Sequence, residues 1–524
     1  MSQPAAVEPA AAEGQWKWWT LVAVCIATLM LLLDVTIVNV ALPDISRDLG
    51  SSFADLQWVI DAYALGLAAL LLTWGGISDQ IGRKRVFMLG LAGFTIASGL
   101  CASATTPLWL NIARGLQGMG GAAMFATALA LLASAYDGKD RGTAIGLWGA
   151  TIGAGVAVGP LIGGILIEVA SWHWIFLVNI PIGLIGLVLS QRYVPESKNP
   201  FGRGIDVPGA LSFSLALFLL IFAIVRGNAE GWGSGLIVGC FVGAAVLLAA
   251  FFVVQVRSPK AMFDLGLFRN RSFVGVSLAA FALSSAMFAL FLYITLWIQN
   301  GLRYSPLEAG LRFLPSTLLS FFVAPIAGKL SAKVAPNVIL GGGLGLVGIA
   351  LLLMTRVDGD SDWTALLPGL IVGGIGIGAT NPALASIAVG VVDVRRSGMA
   401  SGINSTFRQV GIAMGTAIWG AWMASLVESS ARDSVTASAG AAVAAKLPDG
   451  DALTQAQAGL IDKLPGGQAM YLDAYTSGLQ TVFLAAGIFA LVSAAIAFAL
   501  VRRSDFVGQP AAAPPEPAAE PATA

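Results

Sequence analysis

Three charged side chains lie inside long apolar stretches, where a charge is energetically costly. Asp34 directly follows the apolar run 30–33, and Asp61 and Arg114 each lie within an apolar segment of their own. Ionisable residues at membrane depth are rare and face a partner or a wet cavity, so each is a functional hypothesis. Removal from water favours the neutral form of a carboxylic acid, and a nearby cation favours its ionised form. These residue types predict exchange of a proton for a cationic cargo, with Asp34 as the first candidate.

The composition of the whole chain indicates that lipid is its main solvent. Of the 524 residues, 57% are hydrophobic and 11% are charged, whereas soluble domains carry about 25% charged residues. Basic and acidic residues number 29 each, so no net charge points to nucleic acid. The three cysteines have no metal-ligand spacing, and no phosphate-binding loop or nucleophile motif occurs. We therefore predict a membrane protein that is not an enzyme and needs neither cofactor nor metal.

Fourteen apolar segments are long enough to cross a bilayer, which takes about 20 residues of helix. Nineteen of the 29 lysines and arginines fall in loops or at span ends on one side, seven in loops or at span ends on the other side, and three in the interior of spans. Short cytoplasmic loops concentrate positive charge, so both termini are predicted to be cytoplasmic. The predicted spans are 18–42, 56–75, 86–104, 107–134, 143–168, 174–194, 208–226, 235–256, 273–298, 306–328, 338–356, 364–390, 398–426 and 477–501.

A glycine pattern recurs after 256 residues, since seven glycines between 118 and 164 coincide with glycines between 374 and 420. The matched segments cross the membrane in the same direction, which predicts two parallel six-helix bundles with two additional central helices. The predicted regions are a cytoplasmic tail at 1–17, an N-terminal bundle at 18–200, the two additional helices at 201–257, a C-terminal bundle at 258–502 with an external loop at 427–476, and a disordered cytoplasmic tail at 503–524.

Three short motifs occur at defined spans. The loop 75–85 reads GGISDQIGRKR, the fourth span carries RGLQG from Arg114, and the fifth span carries GVAVGPLIGG from residue 155. Glycine permits a tight turn, a basic run favours the cytoplasmic side, and proline bends a helix that small residues pack closely. Besides Arg114, the candidate residues of these motifs are Asp79, Gly82, Arg83, Gly155, Gly159 and Pro160.

Together with LDVTIVNVALP at 33–43, these motifs resemble the fourteen-helix drug:proton antiporters of the major facilitator superfamily. The loop 75–85 departs from the family pattern at Gln80, where arginine is usual. The resemblance implies an all-α membrane fold in which Asp79 caps a helix of the opposite half and latches one conformation. It also implies that Arg114 stabilises an ionised acid during proton transfer, and that the kink of the fifth span is typical of exporters.

Six residues are candidates for substrate binding. An acid with neighbouring aromatic rings in the second span attracts and stacks on organic cations, and polar groups on the thirteenth span line a second wall. The alternatives are a solvated interfacial Asp61 and polar groups that only join helices. The six candidates are Asn39, Trp58, Asp61, Tyr63, Asn404 and Arg408.

The other candidates have structural alternatives as well. Asp34 would otherwise make a structural hydrogen bond, Arg114 would reach the membrane interface, and Asp79 would only orient its loop. Ser305 and Glu308 have the spacing of a capping box, so Glu308 is interpreted mainly as a helix start.

The sequence therefore predicts an exporter of lipophilic or amphipathic drugs or natural products in exchange for protons. We expect a monomer in the bacterial cytoplasmic membrane, whose partners are a small-molecule substrate, protons and the lipid bilayer, without nucleic acid. A second hypothesis is a proton-coupled carrier of one specific metabolite on the same fold. A third is a receptor or scaffold that transports nothing.

Overall fold

The protein is seen in a computed structural model that describes residues 10–50, 53–136, 138–198, 206–258, 261, 265–331, 333–393, 397–439, 441–445, 447 and 467–507. Within these ranges the regular structure is helical, with no strand. Eleven of the described helices are long and apolar enough to cross a membrane, and two shorter apolar helices cover Arg271–Met287 and Leu314–Leu330. The all-α membrane fold is confirmed, and the count of fourteen spans stays a prediction.

The helices of the N-terminal half and the two that follow it are numbered in chain order. They are α1 (Ala10–Leu49), α2 (Phe53–Ile81), α3 (Arg83–Ala102), α4 (Pro107–Ala135), α5 (Gly138–Val169), α6 (Trp174–Leu177), α7 (Asn179–Tyr193), α8 (Val207–Glu230) and α9 (Gly235–Arg257). Local sequence sets several starts, because Thr106 caps α4 and Asp206 caps α8 through a side-chain oxygen.

The C-terminal half begins with a 3-10 turn at Leu265–Arg269 and contains two π-helical turns, Ser284–Phe288 and Trp297–Gly301, around its second helix. Its helices are α10 (Arg271–Leu283), α11 (Ala289–Leu296), α12 (Pro306–Arg312), α13 (Leu314–Leu330), α14 (Pro336–Met354), α15 (Leu367–Gly390), α16 (Ser397–Ala439), α17 (Ala441–Ala444) and α18 (Gly467–Leu500). Two further 3-10 turns cover Trp363–Leu366 and Arg503–Asp505.

The glycine repeat is expressed as two equivalent contacts between the halves. Gly142 of α5 lies against Gly328 of α13, so a side chain at either position would meet backbone of the other helix. Gly146, one turn further along α5, lies against Ala324 of α13, and its repeat partner Gly402 of α16 lies against Leu71 and Gly75 of α2. The long fifth helix of each half thus packs on the second long helix of the other half.

The same repeat is seen within each half. Gly159 of α5 lies against Thr36 of α1, and its repeat partner Gly415 of α16 lies against Ser285 in the π turn after α10. Small residues let backbones approach closely, which is the main source of helix association where lipid replaces water. These contacts follow the glycine repeat, and the parallel arrangement of two six-helix bundles stays a prediction.

The predicted external loop 427–476 contains helix at both of its ends. α16 continues to Ala439, and α18 already begins at Gly467. Val427, Ala431 and Val435, spaced by four residues, are all buried and form the apolar face that keeps this extension helical. The hydropathy of the segment is weak, so it does not indicate where this helix ends. Packing of the buried face stabilises the extension.

The predicted tails are also partly structured. α1 begins at Ala10, inside the tail predicted at 1–17. At the other end, the Asp505 carboxylate accepts a hydrogen bond of 2.7 Å from the Ser272 hydroxyl, and the amide of Val507 donates to the Gly390 carbonyl at 3.0 Å. Residues 503–507 are thus attached to the C-terminal half, and the rest of the predicted tail, 508–524, lies outside the described residues.

Glu308 completes the capping box at the start of α12. The Glu308 amide donates to the Ser305 hydroxyl at 3.3 Å, and the Glu308 carboxylate accepts from the Ser305 amide at 2.8 Å. Arg312 donates to the main-chain carbonyl of Glu308 at 2.7 Å, and its guanidinium lies 3.4 Å from the ring centroid of Tyr304. These contacts favour the structural interpretation of Glu308.

Replacement of Glu308 by alanine is expected to lower stability without slowing transport. The change removes the carboxylate that accepts a hydrogen bond from the Ser305 amide, so the start of α12 is weakened and the thermal midpoint should fall slightly. Glu308→Gln is the matched control, because glutamine keeps the capping acceptor and removes only the charge. If both variants lost substrate flux to the same degree while Glu308→Gln melted like the wild type, the carboxylate would be functional.

Candidate functional site

Asp34 and Arg114 form an ion pair in the interior of the N-terminal half. Nη1 of Arg114 lies 2.5 Å from Oδ2 of Asp34, and both side chains are buried. Asp34 is supplied by the middle of α1 and Arg114 by the first third of α4. Nε of Arg114 also donates to the carbonyl of Val59 on α2 at 3.0 Å. The two residues predicted to couple protons are therefore brought together, and the Arg114 side chain is buried.

Three further polar residues surround the Asp34 carboxylate. Gln117 donates to Oδ1 of Asp34 at 2.7 Å and to the Ser98 hydroxyl at 2.8 Å. Asn179, at the start of α7, donates to the same Oδ1 at 3.0 Å. Gln117 also accepts from Arg114 at 2.7 Å, so one network joins α1, α3, α4 and α7. We call Asp34, Arg114, Gln117, Asn179 and Ser98 the carboxylate network.

The sequence prediction missed Ser98 and Asn179 as members of this network. Asn179 is an amide in the apolar segment 174–194, so burial of a strong hydrogen-bonding group was the available signal. Ser98 carries a weaker signal, because a serine in a span can bond to its own helix. It does so here as well, donating to the Phe94 carbonyl at 2.9 Å.

Tyr63 belongs to the surroundings of Arg114. The Arg114 guanidinium lies 4.3 Å from the ring centroid of Tyr63 and 5.8 Å from that of Phe176. Both rings are buried, and the Tyr63 hydroxyl has no hydrogen-bond partner within the described part of the chain. The ring predicted to stack on a cationic substrate thus stacks on an internal cation in this state.

Asp79 connects the two halves of the molecule. Its Oδ1 accepts from Nε and Nη2 of Arg83 at 3.0 and 2.8 Å, and its Oδ2 accepts from the main-chain amide of Met399 at 3.1 Å. Met399 lies in the first turn of α16, where unpaired amides and the helix dipole favour a negative charge. This geometry is the one that the family resemblance implied for a latch between the halves.

Gly82 forms the turn that positions Asp79 beside Arg83. It has φ 121° and ψ 133°, a conformation that side-chain-bearing residues rarely adopt, and an added Cβ would meet the carboxylate of Glu196. That carboxylate accepts from the amides of Lys84 and Ser197 at 3.1 and 3.0 Å. The turn between α2 and α3 is therefore attached to the segment that follows α7.

Asp61 and Trp58, three residues apart, share a face of α2 that differs from the face carrying Tyr63. Asp61 is 7% exposed, and its Oδ2 has no hydrogen-bond partner among the described residues. The Trp58 ring lies 5.8 Å from the ring of Phe222 on α8 and 5.5 Å from the guanidinium of Arg226. Asp61 is thus buried beside the additional helices and differs from the solvated alternative. Arg226 was not a candidate from the sequence, because it stands at the end of the predicted span 208–226.

The remaining predicted residues are only partly visible. Asn404 and Arg408 are buried on α16, and Nδ2 of Asn404 has no partner within the described residues. Asn381 on α15 has neither side-chain atom bonded in that part of the chain. The side chains of Asn39 and Pro160 lie outside the described residues, although the backbone of α5 continues as one helix through position 160.

Gly155 and Gly159 place α5 directly on α1. An added Cβ would meet Leu32 at Gly155 and Thr36 at Gly159, within one turn of Asp34 on either side. The hydroxyl of Thr36 also comes within 3.5 Å of the Gly155 carbonyl. The two glycines thereby set the distance between α5 and the helix that carries the candidate coupling acid.

Comparison with known proteins shows the family of the chain. The sequence profile of the Major Facilitator Superfamily matches residues 24–416. The chain is 36% identical over 421 residues to the puromycin resistance protein pur8 of Streptomyces alboniger, covering 79% of this chain and 83% of that protein. It is 31% identical over 497 residues to the tetracenomycin C resistance and export protein of Streptomyces glaucescens, covering 92% and 91%.

Another relative and a solved structure are named for other transported molecules. The riboflavin transporter RibZ of Clostridioides difficile is 31% identical over 410 residues, covering 78% of this chain and 88% of that one. The solved structure of the proton:xylose symporter XylE has a TM-score of 0.63 at 12% identity and covers 93% of this chain and 96% of that one, which supports the fold alone. The chain is a multi-pass membrane transporter, not an enzyme, and belongs to the major facilitator superfamily.

Proposed function

We propose that this transporter exports lipophilic or amphipathic drugs or natural products across the bacterial cytoplasmic membrane in exchange for protons. The observation that carries the proposal is the buried Asp34–Arg114 pair, whose carboxylate is fully engaged by the carboxylate network. The names of the resistance and export proteins among the relatives support the direction and the cargo class. We further propose fourteen spans, cytoplasmic termini and a monomer.

Protonation of Asp34 would couple to movement through Arg114. A neutral Asp34 leaves the guanidinium without its countercharge in a site that excludes water, and breaking a buried ion pair in this way costs about 3–5 kcal/mol. The protein can recover this energy by moving α1 against α4, so that Arg114 meets water or another acceptor. α5 would move with α1, because Gly155 and Gly159 hold the two helices in contact.

Substrate would bind between the halves. Asp61 and Trp58 supply an acid and a ring from α2, and Asn404 and Arg408 supply polar groups from α16. Buried polar atoms without protein partners, such as Nδ2 of Asn404, are costly unless water or a ligand satisfies them. This supports a site where cargo or water completes the hydrogen bonds.

A second candidate function is transport of one specific metabolite on the same fold. It is favoured by the relative named as a riboflavin transporter. A dedicated carrier would discriminate strongly between unrelated cargoes, because its site would be built to hydrogen-bond one of them. A multidrug exporter would accept several lipophilic molecules with similar affinity.

Reconstitution in liposomes tests both functions. Purified protein is placed in vesicles with an acidic interior, and uptake of puromycin, tetracenomycin C or riboflavin is followed. Proton-driven exchange moves cargo inward against its gradient, and collapse of the pH difference with a protonophore stops the accumulation.

Four outcomes of this experiment decide between the two functions or contradict them. Uptake of both antibiotics without riboflavin supports the exporter, and uptake of riboflavin alone supports the metabolite carrier. Loss of preloaded cargo from the acidic interior would indicate symport and contradict exchange. No movement of any of the three cargoes in either direction would contradict the proposal as stated.

A further inference from the structure

α8 packs against both halves of the molecule and does not only face lipid. It packs against α2 and against α16. Ser214 of α8 and Thr73 of α2 are hydrogen-bonded at 2.8 Å, and Ile221 is buried with Leu65 and Ala68 of α2. α9, in contrast, is mostly exposed and packs mainly on α8. The additional pair therefore presents one helix to the protein and one to lipid.

The end of α8 brings a cation and a ring to Asp61 and Trp58. Arg226 is buried, its guanidinium lies 5.5 Å from the Trp58 ring centroid, and Phe222, one turn earlier, lies 5.8 Å from the same ring. Asp61 follows Trp58 by three residues on α2, so the acid and the Arg226 guanidinium both border the Trp58 ring. An acid, a cation and two rings thus meet where α8 covers α2.

The contacts of Asp61 are incomplete in this arrangement. Its side chain is more than nine-tenths buried, yet Oδ2 accepts no hydrogen bond from the described residues. Arg226 instead donates to Glu230 at 2.9 Å, and Glu230 is partly exposed. A buried carboxylate oxygen without a donor is costly, so the site is suited to receive one more positively charged or donating group.

We propose that Arg226 is an internal substitute for an organic cation, and that it makes the Asp61–Trp58–Phe222 site selective for cargo able to displace it. The rings supply the faces on which a lipophilic cation stacks, and Asp61 supplies the countercharge. Glu230 holds the guanidinium when cargo occupies the site. The two additional helices thus determine specificity, an inference that rests on the proposed export of lipophilic compounds.

The test measures binding to the purified full-length protein in nanodiscs at a fixed pH. The probes are tetraphenylphosphonium and tetraphenylborate, which have the same shape and opposite charge. Arg226→Gln removes the competing cation, so we expect tetraphenylphosphonium to bind about tenfold more tightly. Tetraphenylborate should gain nothing. Arg226→Lys keeps the charge and should bind like the wild type.

A double-mutant cycle with Asp61 separates this role from a general structural effect. In an Asp61→Asn background, Arg226→Gln should leave tetraphenylphosphonium affinity unchanged, because the shared countercharge is gone. Equal affinity of the wild type and Arg226→Gln, a gain that persists without Asp61, or no binding by either protein would overturn the proposal. Because no transport is measured, failure of proton-driven export in liposomes is a separate result.

Discussion

Replacement of Asp34 by asparagine is expected to reduce proton-driven uptake of cargo to the level of empty liposomes. Asparagine has nearly the same shape and still accepts a hydrogen bond from Arg114, but it cannot bind and release a proton. The pH difference then has no group on which to act. The measurement is initial uptake into acid-filled vesicles, with and without a protonophore.

The stability of this variant must be measured beside its transport. Asp34→Asn leaves Arg114 buried without a countercharge, which costs about 3–5 kcal/mol. The double variant Asp34→Asn/Arg114→Gln removes both charges and should recover the thermal midpoint while uptake stays absent. Asp44→Asn, on the same helix in a partly exposed pair with Arg47, is the matched control and should transport normally. Uphill uptake at the wild-type rate by Asp34→Asn would refute the proposed coupling.

Replacement of Asp79 by asparagine is expected to open the end of the molecule that bears the loop 75–85. The change removes the negative charge that faces the first turn of α16 and the ion pair with Arg83. Hydrogen bonds to charged groups are worth about 1.5–3 kcal/mol, so the balance between closed and open states should shift by roughly 10- to 150-fold. Transport should slow because the closed state is rarely reached.

Distances between spin labels measure this shift directly. Labels at Arg192 and Lys333, both exposed and on opposite halves, should give a longer mean distance in Asp79→Asn than in the wild type. The background is cysteine-free, with Cys25, Cys101 and Cys240 replaced by alanine. Glu196→Gln is the control, since Glu196 bonds only within the N-terminal half in its described contacts and should leave the distance unchanged. An unaltered distance in Asp79→Asn would show that this contact does not hold the halves together.

The helical membrane fold was predictable from the sequence because solvent dictates it. A chain in lipid must satisfy its backbone hydrogen bonds internally, so long apolar runs become helices. The glycine repeat predicted the two halves for a related reason, since helices pack closely only where side chains are small. The ends of helices were not predictable from local hydropathy where packing decides them, as at Val427 and Val435, whose buried face extends α16 into the predicted loop.

The candidate site was predictable only in part. Asp34 and Arg114 could be recognised because a charge in an apolar run has no local explanation. That the two form one ion pair, with Gln117 and Asn179 on the same carboxylate, depends on four helices meeting. Amides tolerate many environments, so their residue type alone does not reveal a partner.

The sequence by itself therefore determined that the chain lies in lipid, that it is helical and that it contains a repeat. It also identified the charges that stand inside apolar segments. All of these are properties of local composition and spacing. Only the tertiary structure decided which groups are neighbours. It placed Tyr63 on Arg114 and Arg226 beside Trp58. The physical reason is that contacts between distant segments depend on the rotation and depth of each helix, which are set by packing against all its neighbours.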